Sequence, residues 1–293
     1  MRSPSAPIVC GVDGSDSALA AVAWAAQECA RHQVPLRLVH TFVLPTRGFP
    51  EVLLLAEDIR RAMEEQGRTW LEEARAAARA TAPEVEVTTE VVCGGAGATL
   101  VELSRSARTV VVGSRGRGTV TGLAVGSTAV ALAAHAESPV VVVRGNAVPG
   151  GPVVVGVDGS PTSEAALAFA FEEASLRTTS LTAVIAVTDF AADSAYVLSG
   201  LRVDWAQVEE DERRLLAERL AGWQEKYPDV VVNRIALRDR PARALLRYGA
   251  EAQLLVVGSH GHGGFVGMLL GSTSQALVHH APCPLAVVRP LKR

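Results

Sequence analysis

The chain has 293 residues, about twice the size of a common domain, which predicts two domains of similar length. Apolar residues make up 48% and charged residues 20%, so the chain can bury a large core, and intrinsic disorder is excluded. The net charge of −3 lacks the basic excess of a nucleic-acid binder, and no apolar run reaches the ~18 residues of a membrane span.

The first half alternates short apolar runs with stretches of helical periodicity. Continuous Val, Ile and Leu runs are typical of buried parallel strands, and helices between them predict β-α-β crossovers. The predicted strands cover residues 8–12, 36–42, 85–92, 110–112 and 140–143. The predicted helices cover residues 17–31, 52–80, 99–107 and 127–136.

The second half repeats the first at an offset of 145 residues. Residues 9–15 return as 154–160, residues 113–116 as 258–261, and residues 126–128 as 271–273. A Gly- and Pro-rich linker joins the copies. We therefore predict an α/β protein of two tandem Rossmann-like domains, residues 1–145 and 152–293, each an open five-stranded parallel sheet with helices on both faces.

Each half carries a glycine-rich loop after its fourth strand, at the sheet edge where open α/β folds bind ligands. The loop reads Gly-x-x-Gly, nine residues, then Gly-Ser, and it begins at Gly113 and at Gly258. The glycines allow close backbone approach and positive φ angles, and the following helix N-terminus predicts an anion site that fits a triphosphate. The alternative is a tight turn in which Ser127 and Ser272 are helix N-caps.

This loop, together with the Gly-Val-Asp-Gly-Ser run at the end of each first strand, resembles the ATP-binding motif of the universal stress protein family. The resemblance covers nearly the whole chain. The tandem arrangement of the two halves is similar to that of actinobacterial members of the family. It implies adenine nucleotide α-hydrolase-like domains that bind one ATP each, with Mg²⁺ accompanying the nucleotide. The implied function is a nucleotide-dependent regulator of stress response or growth, with at most slow ATP hydrolysis.

The resemblance also implies site residues at matching positions of this sequence. The implied nucleoside contacts are Gly11, Asp13 and the backbone of Val39 in the first half, and Gly156, Asp158 and the backbone of Val184 in the second. The implied phosphate-binding residues of the first half are Gly113, Ser114, Arg115, Gly116, Arg117, Gly118, Thr119, Gly126, Ser127 and Thr128. Those of the second half are Gly258, Ser259, His260, Gly261, His262, Gly263, Gly264, Gly271, Ser272, Thr273 and Ser274. For Asp13 and Asp158 the alternative is capping of the following helix, which is compatible with ligand contact.

Three positions and one short segment distinguish the halves. Asp189 follows the second strand of the second half, where an acidic residue can bond ribose hydroxyls or lie solvated in a loop; the first half has Leu44 there. Arg115 and Arg117 give way to His260 and His262, so permanent charges are replaced by imidazoles that titrate. A His-Gly-His metal site lacks a nearby cysteine or carboxylate to complete it. In the segment before the third predicted helix, the first half has Gly94-Gly95-Ala96-Gly97 where the second half has Arg240-Pro241-Ala242-Arg243.

Other site chemistries find little support. The sequence has no P-loop, nucleophile elbow, kinase signature set or dinucleotide fingerprint, and nothing places a general base beside a nucleophile. Two alternatives to the regulator remain open. One is a hydrolase or transferase acting at the α-phosphate of an adenine nucleotide, and the other is an interaction module that binds no nucleotide.

The remaining expectations concern the protein's surroundings. Four cysteines without a CxxC pair, and a start without a signal-peptide core, predict a reduced cytoplasmic protein. The short apolar final strands of the two halves need cover, so we expect the two domains to pair within the chain. A homodimer and regulatory protein partners are left open, and neither nucleic acid nor membrane is expected as a partner.

Overall fold

The computed structural model describes residues 5–44, 56–117, 125–187, 205–261 and 269–290. The chain divides into two compact units, Met1–Arg144 and Gly145–Arg293. Each unit is a five-stranded parallel sheet with helices packed on its faces, so the predicted Rossmann-like class is confirmed. Within the described ranges, no helix is long and apolar enough to cross a membrane.

The first unit orders its strands β3-β2-β1-β4-β5, and all neighbours are parallel. The strands are β1 (Ile8–Gly11), β2 (Leu36–Phe42), β3 (Val87–Cys93), β4 (Thr109–Gly113) and β5 (Val140–Val143). The helices are α1 (Asp16–His32), α2 (Ala56–Thr81), α3 (Ala96–Leu103) and α4 (Ser127–His135). The strand order reverses between β1 and β4, which opens a crevice at their carboxyl ends.

The second unit has the same order, β8-β7-β6-β9-β10, again all parallel. Its strands are β6 (Val153–Gly156), β7 (Leu181–Val187), β8 (Val232–Arg238), β9 (Leu254–Gly258) and β10 (Leu285–Val288). Its helices are α5 (Pro161–Leu176), α6 (Trp205–Lys226), α7 (Pro241–Gly249) and α8 (Ser272–His280). The equivalent crevice therefore lies between β6 and β9.

Helix α1 shows why these segments fold as they do. Its buried side chains, which include Ala18, Ala21, Val22 and Ala25, recur at three- and four-residue spacing and form one apolar stripe against the sheet. The N-cap Ser15 accepts a hydrogen bond from the Ala18 N–H at 3.2 Å, which satisfies a first-turn donor. Since the central strands are buried on both faces, their continuous apolar runs meet helices above and below.

Helix α3 begins three residues earlier than predicted, at Ala96 with Gly95 as N-cap. Gly97 lies inside the helix, and a Cβ there would stand only 3.3 Å from the Cβ of Ala131 on α4. The glycine thus serves close helix packing rather than a loop. The N-cap of the equivalent α7 is Arg240, so Gly95 matches Arg240, and the alignment of residues 94–97 with 240–243 is wrong by one residue.

Candidate functional site

A cavity of about 330 Å³ lies in the first unit at the carboxyl ends of β1, β2 and β4. Nine of the proposed site residues line it: Gly11, Asp13, Val39, Gly113, Arg115, Gly116, Gly126, Ser127 and Thr128. Ser114 is buried beneath the loop, and Arg117 is exposed at its outer side. The volume lies in the range of about 300–1,000 Å³ that is usual for small-molecule sites.

The cavity also has apolar lining residues that the motif did not indicate: Val12, Ala18, Ala96, Leu100, Val112, Val125 and Ala129. Gly11, Leu100 and Val112 pack together at the floor of the cavity. A Cβ on Gly11 would lie 3.0 Å from Leu100 Cδ1 and 3.3 Å from Val112 Cγ1. These side chains come from α3 and β4, elements that a linear motif does not connect. They give the cavity an apolar floor beside its polar loop.

Thr41 is a further lining residue that the sequence interpretation missed. The carbonyl of Val39 accepts the Val12 N–H at 2.8 Å, so this backbone continues the sheet. Strand β1 ends at Gly11, opposite Val39, whereas β2 continues to Phe42. Thr41 therefore stands beyond the last β1 pair, on the side of β2 that faces the cavity. The sequence signal for this was that the apolar run of β2 is longer than that of β1.

The glycine-rich loop is held by backbone contacts rather than by unusual torsion angles. The Gly126 N–H donates to the Ser114 carbonyl at 2.8 Å, and the Arg115 N–H donates to Ser17 Oγ at 3.3 Å. A Cβ on Gly113 would stand 2.6 Å from the Ser17 carbonyl oxygen, so the loop and helix α1 approach each other closely at this glycine. Gly113 and Gly116 do not adopt the positive φ that glycine allows, and the left-handed glycine beside this loop is Gly14, at φ +74°.

Helix α4 presents its N-terminus to the cavity. Its N-cap is Gly126 (φ −75°, ψ 150°), which makes no side-chain cap hydrogen bond, so the alternative that Ser127 is the N-cap is wrong. Ser127, Thr128 and Ala129 form the first turn and all line the cavity. First-turn N–H groups lack intrahelical acceptors, and together with the helix dipole they favour an anion.

Asp13 joins the end of β1 to the glycine-rich loop. Its Oδ1 accepts from the Ser15 N–H at 3.1 Å and from Ser15 Oγ at 2.6 Å, and its Oδ2 accepts from the Arg117 N–H at 2.9 Å. Gly116 lies so close that a Cβ would overlap Asp13 Oδ2. The N-cap of α1 is Ser15, so direct capping by Asp13 is wrong. Asp13 instead fixes the loop while it lines the cavity.

Arg115 brings a positive charge to the cavity, and a second guanidinium group, that of Arg144, lies near enough to interact with it. Arg115 lines the cavity, and Arg144 follows β5, whose Val143 pairs with Gly113 at the start of the loop. Burial, and to a smaller extent the charge of Arg115, lower the pKa of Arg144 from its ordinary value. Like charges close to one another favour an anion between or beside them.

The second unit reproduces this framework. The Gly271 N–H donates to the Ser259 carbonyl at 2.8 Å, and a Cβ on Gly261 would overlap Asp158 Oδ2. Gly271 is the N-cap of α8, so here too the serine that follows, Ser272, is not the cap. The remaining proposed residues keep their equivalent places: Gly156 against Leu245, Val184 bonded to Val157, Gly258 at the end of β9, and Thr273 in the first turn of α8.

Polar differences distinguish the second unit from the first. Ser274 is buried and donates from Oγ to the Gly258 carbonyl at 2.6 Å, where the first unit has Ala129. His260 takes the place of Arg115, and its Nδ1 lies 3.1 Å from Ser259 Oγ. Six proposed residues lie outside the described residues: Gly118, Thr119, Asp189, His262, Gly263 and Gly264.

Comparisons with known proteins identify the family. The model of the universal stress protein family matches residues 5–144 and 151–289. A universal stress protein of Mycolicibacterium smegmatis is 41% identical over 290 residues, 97% of each chain, and one of Mycobacterium tuberculosis is 42% identical over 293 residues, 96% of each. The crystal structure of a universal stress protein from Archaeoglobus fulgidus shares the fold, with a TM-score of 0.72, 18% identity and coverage of 97% of this chain and 98% of that one. The chain therefore belongs to the universal stress protein family and contains two of its domains.

Proposed function

We propose that each unit binds one ATP, and that the nucleotide-bound protein acts as a regulator of stress response or growth. One observation supports this most: the first unit combines an apolar floor and the N-terminus of α4 in a single cavity. A nucleoside needs apolar surface with a few polar contacts, and a triphosphate needs backbone N–H groups and positive potential. Both requirements are met within about 330 Å³.

The proposed orientation follows from the two ends of the cavity. The base lies toward Val39 and Thr41, and the phosphates lie over the turn from Gly113 to Gly116 and against the first turn of α4. We propose that Asp13 contacts the ribose between the two ends. In the second unit Asp158 has this place, and we propose Asp189 as an additional ribose contact. Mg²⁺ would accompany the triphosphate and neutralise part of its charge.

Catalysis is not the main role under this proposal. Among the described residues that line the cavity, Asp13 is the only one with a carboxylate. One of its oxygens accepts from Ser15 and the other from the Arg117 N–H. A carboxylate engaged in this way is a poor general base. We therefore expect at most slow ATP hydrolysis. A hydrolase or transferase acting at the α-phosphate is the second candidate, and a nucleotide-free interaction module is the third.

Binding can be tested directly on the full chain. We expect calorimetry to give two ATP per chain with a Kd on the order of micromolar. We also expect mass spectrometry of gently purified protein to find nucleotide bound. No heat and no co-purified nucleotide would favour the interaction module. Steady release of AMP during incubation with ATP would favour the enzyme that acts at the α-phosphate.

The two sites are expected to respond differently to pH. The guanidinium of Arg115 carries a permanent charge, whereas the imidazole at the equivalent place, that of His260, is charged only when it is protonated, and nearby phosphate favours the protonated form. ATP binding at the second site should therefore tighten as the pH falls, while binding at the first site changes less, apart from the titration of the nucleotide itself. The variants Arg115→His and His260→Arg should each shift the profile of their site toward that of the other site.

Calorimetry at several pH values measures these profiles one site at a time. The other site is blocked by Gly271→Glu or by Gly126→Glu, which place a carboxylate at the helix N-terminus. Each blocked chain is compared with and without the exchange at its open site, which gives four chains. Parallel profiles in all four would show that neither Arg115 nor His260 contacts phosphate. The cytoplasmic location, the pairing of the two units and a homodimer stay predictions.

A further inference from the structure

A cluster of three side chains lies on the outer side of the glycine-rich loop in the first unit. It consists of His40 on β2, Trp70 on α2 and Arg117 in the loop, and we refer to it as the Trp70 cluster. The Arg117 guanidinium carbon lies 4.8 Å from the centre of the Trp70 ring. The His40 ring meets Trp70 edge-on, with centroids 5.1 Å apart and an interplanar angle of 71°. Both arrangements are favourable contacts of an aromatic ring.

Two glycines make room for the Trp70 cluster. Gly14 has φ +74°, and a Cβ on it would stand 2.5 Å from the Trp70 indole. Gly67 lies on α2, one turn before Trp70, and a Cβ there would overlap the His40 ring. Side chains at either position would push the indole or the imidazole away. The packing of the Trp70 cluster is therefore close on both sides.

The Trp70 cluster is joined to the cavity wall by hydrogen bonds. His40 is buried, and its Nδ1 donates to the Val12 carbonyl at 2.7 Å. The Arg117 N–H donates to Asp13 Oδ2 at 2.9 Å, and its guanidinium Nη1 approaches the Gly14 carbonyl at 3.5 Å. Val12 and Asp13 both line the cavity. Arg117 and His40 therefore connect the Trp70 ring to residues that line the cavity.

The second unit is built differently at these places. Ile185 stands where the first unit has His40, and Leu215 stands where it has Trp70. Glu212 replaces Gly67, while Gly159 keeps the left-handed conformation of Gly14 at φ +77°. The described part of the loop in the second unit, residues 258–261, is thus formed without an aromatic side chain at this position of the helix. The fold itself does not require the Trp70 cluster.

We propose that Trp70 and Arg117 are positioning residues that hold the glycine-rich loop of the first unit in its ligand-binding geometry. Neither side chain lines the cavity; they act through the Arg117 backbone and Asp13. The inference rests on the proposed nucleotide site and adds to it a device that raises the affinity of one site over the other. The helix α2, far along the chain from the loop, thereby becomes part of the first site.

The test measures ATP affinity at the first site in full-length chains that carry Gly271→Glu to block the second. We expect Trp70→Leu, the residue of the second unit, and Arg117→Ala each to weaken binding about three- to tenfold. The double variant should lose little more than either single variant, because both remove the same contact. Trp70→Phe and Arg117→Lys should recover part of the affinity, since a ring and a cation remain.

A control separates positioning from general stability. Trp223→Leu removes an indole from α6, where it stacks on Phe171 and Tyr227 in the second unit, and it should leave the affinity of the first site unchanged. Equal affinity of Trp70→Leu and its parent, or additive losses in the double variant, would overturn the inference and leave the proposed function standing. A parent chain that binds no ATP at the first site would overturn both.

Discussion

Replacing Gly126 by glutamate is expected to abolish ATP binding at the first site while the fold and the second site are retained. Gly126 is the N-cap of α4, beside the first-turn N–H groups proposed to hold the phosphates. A carboxylate there meets the triphosphate at a few ångströms in a partly desolvated cavity, and like charges at that distance lower affinity by roughly 100-fold or more. The N-cap torsion angles, φ −75° and ψ 150°, suit any residue, and an acidic side chain at a helix N-terminus does not destabilise it.

The measurement is calorimetry with ATP on Gly126→Glu, on Gly271→Glu and on the double variant, with thermal unfolding recorded for each. The expected stoichiometries are one, one and zero ATP per chain. Gly222→Glu is the matched control, because a Cβ at this α6 position meets nothing within 4 Å. Normal ATP binding by Gly126→Glu would show that the loop is not the phosphate cradle. Loss of folding would show that the glycine is structural.

Phe171→Ala is expected to destabilise the second unit by about 3–5 kcal/mol. The Phe171 side chain is fully buried on α5, and its ring stacks against Trp223 at 6.0 Å and Tyr227 at 5.8 Å, both on or next to α6. Two large rings cannot close the space that a third leaves, so a cavity remains. The first unit has alanine at all three equivalent positions, Ala26, Ala78 and Ala82, all buried.

Guanidinium unfolding followed by near-ultraviolet circular dichroism measures this loss. Leu176→Ala is the control on the same helix, because Leu176 is 39% exposed and its truncation should cost little. ATP binding at the first site should persist in Phe171→Ala at denaturant concentrations that have already unfolded the second unit. A change in stability no larger than that of Leu176→Ala would contradict the assigned packing role of this ring.

The amino-acid sequence by itself determined the class and the repetition of the fold. Parallel strands buried on both faces require continuous apolar runs, and such runs stand out in a single sequence. The second and fifth predicted strands agree with β2 and β5 residue for residue. The glycine-rich loop was also readable from its repeated spacing, and in both units its first glycine, Gly113 or Gly258, packs against the first helix of its own unit, at Ser17 or Thr162.

Only the tertiary structure decided which residues outside the motif meet at the cavity, and how each unit fills the space between its helices. Thr41 lines the cavity because β2 extends beyond the end of β1, and Leu100 does so because α3 packs over Gly11. Neither arrangement is local in the chain. The same holds for Trp70, which reaches the loop across 47 residues of sequence. Local periodicity specifies which face of an element is buried. The partner it meets depends on the distances between elements, and these are set jointly by all the side chains packed between them.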